Sequence, residues 1–96
     1  MLHELYDKAA AVEAGSTVNI PSIKGNPTGL LQVKNAGAAT VVLQGRLIDD
    51  DTKADWETIY TVQDADELRS VSLCPFMRVN ITAQSGTPAV SVYVHA

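Results

Sequence analysis

With 96 residues the chain has room for one domain around a single core. A hydrophobic fraction of 46% excludes a disordered chain, and one cysteine, Cys74, excludes an intrachain disulfide. The net charge is -4, with the Lys and Arg residues scattered rather than clustered, which argues against a surface for nucleic acid.

The first residues, Met1 to Leu5, lack the basic start and long apolar run of a signal peptide. No stretch reaches the roughly 18 apolar residues needed to span a bilayer, so the expectation is a chain made in a cytoplasm and kept soluble. Leu2, Leu5, Tyr6, Ala9 and Val12 fit a helical stripe, but no capping residue precedes Leu2. Residues 1–15 are therefore expected as an N-terminal arm or edge strand, and residues 16–96 as a β-sandwich domain.

From Ser16 onward, short β-branched runs alternate with turn clusters. Val18 and Ile20 alternate with Thr17 and Asn19, and Gly25 to Gly29 breaks the run. Leu30 to Lys34 is the next strand, with Leu31 and Val33 on one face. Thr40 to Ile48 follows, with Val41, Leu43 and Leu47 inward and Val42, Gln44, Arg46 and Ile48 outward. Gly45, in the inward register, marks a bulge or a close backbone approach.

Asp49 to Asp55 reads as a polar loop, and Trp56 to Val62 as a strand. Trp56 and Ile59 both suit the core yet stand three apart, which a bulge reconciles. Gln63 to Glu67 turns the chain into Leu68 to Leu73, with Val71 and Leu73 inward. Pro75 interrupts, because it cannot donate to a ladder. Phe76 to Ala83 places Met77, Val79 and Ile81 inward, and Val90, Val92 and Val94 repeat the pattern at the end. The whole predicts an all-β fold: an antiparallel β-sandwich or jelly-roll-like domain of about seven strands, with an N-terminal arm.

Asp49, Asp50 and Asp51, with Asp55 and Glu57 beyond, form the best metal candidate. An EF-hand loop begun at Asp49 needs Gly and Glu where Ala54 and Tyr60 stand, so a solvated loop is the better reading. His3 and His95 lie at opposite ends of the sequence, and Cys74 before Pro75 reads as a small buried hydrophobe. Neither a nucleophile–base pair nor a phosphate loop nor zinc spacing appears, and the expectation is a non-enzymatic protein without a cofactor or metal. Asn80-Ile81-Thr82 fits an N-glycosylation pattern, and in this setting reads as strand.

The runs Thr40-Val41-Val42-Leu43-Gln44-Gly45-Arg46-Leu47, Asp55-Trp56-Glu57-Thr58-Ile59, Arg69 to Thr82 and Val90-Ser91-Val92-Tyr93-Val94 share a cadence. This resembles small β-sandwich virion proteins of tailed bacteriophages, some of which act as capsid cement or decoration proteins. The likeness covers roughly residues 16–95. It implies a virion structural protein that clamps the major capsid protein shell and associates with itself, trimers being one form. A tail or head–tail connector component is the nearest alternative, and a carbohydrate-binding or adhesive β-sandwich the rival from another class.

An outward set of Val42, Ile48, Phe76 and Tyr93 offers apolar surface beyond what a lone monomer needs. The expected partner-binding residues are Leu2, Leu5, Tyr6 and Val12 of the N-terminal segment, which a small core need not absorb. Arg46 and Arg78 join them, as strand cations able to form charge-assisted bonds.

Overall fold

Where every second residue is apolar, one side of the backbone seeks a core and the other stays wet, and that pattern sets the strands of this protein. The computed structural model describes residues 2–9, 15, 17–20, 27–35, 38–53, 55–85 and 90–95. Its strands are β1 (Leu2–Ala9), β2 (Val18–Asn19), β3 (Thr28–Asn35), β4 (Ala38–Arg46), β5 (Glu57–Gln63), β6 (Glu67–Ser72), β7 (Phe76–Ser85) and β8 (Val90–His95). The protein is all-β, and among the described residues no helix is long and apolar enough to cross a membrane.

The strands form two four-stranded antiparallel sheets, ordered β1-β8-β3-β6 and β2-β7-β4-β5. Only the β4–β5 connection stays within one sheet. The order is that of a long hairpin, pairing β1 with β8, β2 with β7, β3 with β6 and β4 with β5, rolled into two layers. That is the jelly-roll arrangement of a β-sandwich. The core lies between the sheets: Leu31, Val33, Val90, Val92 and Val94 from one meet Val41, Leu43, Met77, Val79 and Ile81 from the other. Each buried Val or Leu contributes roughly 1.5–3 kcal/mol relative to exposure.

Eight strands replace the expected seven because residues 2–9 pair with β8. Of the two readings of the N-terminal segment, arm or edge strand, these residues form an edge strand, and no helix is present there. Register shifts flank Tyr6, and Leu5 sits at the first of them with its side chain in the core. Leu5 is thus a core residue rather than a partner contact, since it follows His3 by two and shares the inward face that His3 takes opposite Val94.

Two further expectations change. Leu47, read as inward, is 74% exposed, because β4 ends at Arg46 and the chain leaves the sheet there. Trp56, read as core, is half-buried ahead of β5. The expected bulge does exist: Leu43 pairs with Tyr60 and Gln44 with Thr58, leaving Ile59 as the extra residue. It brings Ile59 and Tyr60 against the core, and leaves Trp56 outside it.

Gly45 confirms its close approach. A Cβ there would lie 2.7 Å from Cys74 Sγ and 2.8 Å from Ile59 Cδ1. Asp64 takes a left-handed φ of 54° in the turn after β5, a conformation Asp tolerates better than most residues. At the seam of the two edge strands, Tyr60 in β5 donates its hydroxyl to Glu67 Oε1 of β6 at 2.9 Å. The Arg69 guanidinium caps the Tyr60 ring at 4.1 Å.

Candidate interaction surface

On the outer face of the β2-β7-β4-β5 sheet, side chains from three places converge. Gln44 of β4 stands opposite Arg78 of β7, and Arg46 opposite Phe76. Trp56, just before β5, lies beside them, with the Arg46 guanidinium 4.2 Å and the Arg78 guanidinium 4.5 Å from its ring centroid. Arg78 Nε donates to Gln44 Oε1 at 2.8 Å.

The acidic run completes this cluster. Arg46 donates from Nη2 to Asp49 Oδ1 at 2.6 Å and from Nη1 to Asp51 Oδ1 at 2.7 Å. Asp50 turns the other way, accepting from the Thr52 N–H at 2.9 Å and the Thr52 hydroxyl at 2.7 Å. Those two donors, hydroxyl first, hold the Asp50 carboxyl below its ordinary range, and the Arg46 charge adds to the effect. The bond that Arg46 donates to Asp51, and after it the one to Asp49, raises the Arg46 pKa against the opposing effect of burial. The three aspartates that read as a metal candidate therefore serve as counterions and a turn cap. Among the described residues no group of three or more His, Cys, Asp or Glu is placed to hold a metal ion.

The outer face of the β1-β8-β3-β6 sheet differs in character. Leu2, His95 and Leu30 align across β1, β8 and β3, and Tyr93, Gln32 and Leu68 align across β8, β3 and β6. These six residues line a shallow groove of about 230 Å³. Leu2, Leu30 and Leu68 are 62%, 49% and 64% exposed, and Tyr93 is half-buried beside them. A Lys34–Asp66 ion pair at 3.2 Å lies further along the same sheet.

The expected partner-binding residues part company accordingly. Leu2 lies in the groove, Leu5 in the core, and Arg46 and Arg78 on the opposite face. Tyr6 pairs through its backbone with Val92, but its side chain and the whole of Val12 lie outside the described residues. The expected apolar set also divides: Tyr93 belongs to one face, Val42 and Phe76 to the other, and Ile48 to the loop after β4. His3 and His95, far apart in sequence, sit on paired strands, opposite Val94 and Leu2 respectively, and so face opposite sides of the sheet. Burial pushes the Cys74 thiol up.

Leu30 and Leu68 escaped the sequence reading as surface residues. Each precedes an inward residue at odd spacing, and only the register of β3 with β6 places them together. The fold and its faces define a class, the eight-stranded jelly-roll β-sandwich. Compared with models of known protein families, with curated proteins and with solved structures, the chain matches none.

Proposed function

We propose that the protein is a non-enzymatic structural protein of a tailed-bacteriophage virion, binding the shell of major capsid protein as a cement or decoration protein and associating with its own copies there. The observation that carries this reading is the groove lined by exposed Leu2, Leu30 and Leu68 with Tyr93 on the outer sheet face. Exposed apolar side chains gathered on one sheet face are a common mark of an interaction surface. The strand order supports the same reading by analogy, since jelly rolls are a frequent design of capsid domains. So does the resemblance of residues 16–95 to phage virion proteins.

A carbohydrate-binding module, the rival, would need a bare aromatic platform. Trp56 is the one tryptophan, and two guanidiniums already rest on its ring. The test is co-sedimentation of purified protein with shells assembled from the major capsid protein of the same genome, beside a glycan array. Saturable binding to shells with a blank array is expected. Glycan binding with no shell association would overturn the proposal.

A further inference from the structure

Two cations share the Trp56 ring, yet their surroundings are unequal. Arg46 is buried and holds both Asp49 and Asp51. Arg78 is half-buried, and its guanidinium is fixed by the Gln44 bond through Nε and by the ring. Among the described residues no carboxylate reaches it. We propose that Arg78 is a preorganised docking point for a single carboxylate on a protein partner. The inference deepens the binding role proposed above, and rests on it for the nature of the partner.

Three features give the site its selectivity. With Nε engaged by Gln44, the terminal nitrogens of the fork remain for the bidentate geometry that suits a carboxylate. The side chain is already ordered, so binding costs less conformational entropy than at a free surface arginine. Arginine and tryptophan in contact are also the residue types most enriched at interface hot spots. The neighbourhood then restricts the occupant. Exposed Asp49 and Asp51, held by Arg46 on the same Trp56 ring, and exposed Asp55 and Glu57, flanking Trp56 in sequence, oppose a polyanion such as nucleic acid or an acidic tail more strongly than a single carboxylate. Leu47 and Ile48, 74% and 48% exposed in the loop after β4, favour an apolar neighbour. The fitting ligand is an isolated carboxylate beside apolar surface.

Trp56 is the chain's only tryptophan and touches Arg78, so its emission reports occupancy directly. The probe is sodium propionate, a carboxylate with a short apolar tail, titrated against sodium chloride at equal ionic strength. A saturable response is expected, half-complete at about 10–100 mM, the scale of one charge-assisted pair. It should be lost in Arg78→Gln and weakened at least fivefold in Arg78→Lys, with the melting temperatures of both variants checked. Equal responses to the two salts, or an undiminished response in Arg78→Gln, would overturn the site. A stronger response to an octamer of thymidylate than to propionate would also overturn it, in favour of a nucleic-acid surface. Shell binding separates the two proposals. If wild-type protein binds shells and Arg78→Gln binds equally well, the carboxylate inference fails while the virion reading stands. If propionate titrates Arg78 but shells are not bound, the virion reading fails and the site stands.

Discussion

Arg46 would be an expensive residue to bury without partners, because a desolvated cation loses its hydration. Two aspartates and the Trp56 ring make its position tenable. The same arrangement links loop stability to pH through Asp50. Its folded pKa lies below the unfolded value of about 3.9. Its contribution is therefore complete above that value and is lost as pH falls through the lower folded one. Thr52→Val removes the hydroxyl donor, so the melting temperature of that variant should fall less steeply than wild type on acidification below about pH 4. Identical pH profiles would show that Thr52 does not set the Asp50 carboxyl.

Gly45 offers a sharper test at this scale. Gly45→Ala places a methyl group against Cys74 and Ile59, and should cost about 1–3 kcal/mol in urea denaturation, the usual range for overpacking. An unchanged midpoint would mean the two sheets can part there freely. This role was legible in the sequence, because a glycine at an inward position of an apolar strand needs a packing reason. Trp56 was not legible, because the two arginines that draw it outward come from other strands.

Among the elements, β1 shows how irregular alternation hides a strand. Its pairing with β8 shifts register on both sides of Tyr6, so its apolar residues do not fall at every second position and mimic a helical stripe. The strands β3, β7 and β8 were readable in direction and face, since Leu31 and Val33, then Met77, Val79 and Ile81 ahead of the register shift at Thr82, then Val90, Val92 and Val94 keep period two. The bulged β5 was readable only as an anomaly. If β1 is integral, Leu5→Ala should cost about 2–5 kcal/mol, as for a core leucine, whereas Leu2→Ala should stay within about 0.5 kcal/mol. Equal, small effects from both would make the segment a detachable arm.

At the scale of the molecule, the rolled hairpin places β1 and β8 side by side, and their sheet turns the groove of Leu2, Leu30, Leu68 and Tyr93 outward. The other sheet turns out a charged aromatic cluster. One domain thus presents two faces of different chemistry, an arrangement suited to bridging neighbours on a repeated lattice, where many weak contacts add avidity. The groove was invisible in the sequence, since Leu2, Leu30 and Leu68 belong to three strands and meet only through register. The outward position of Leu30 and Leu68 makes charge substitution there compatible with folding. The most direct measurement is co-sedimentation of the Leu30→Glu, Leu68→Glu double variant with capsid shells, beside wild type and a thermal melt of each. Burying one leucine contributes roughly 1.5–3 kcal/mol, so a folded variant should bind at least tenfold more weakly. A folded variant that occupies the shell as fully as wild type would contradict the assignment of this face to the capsid.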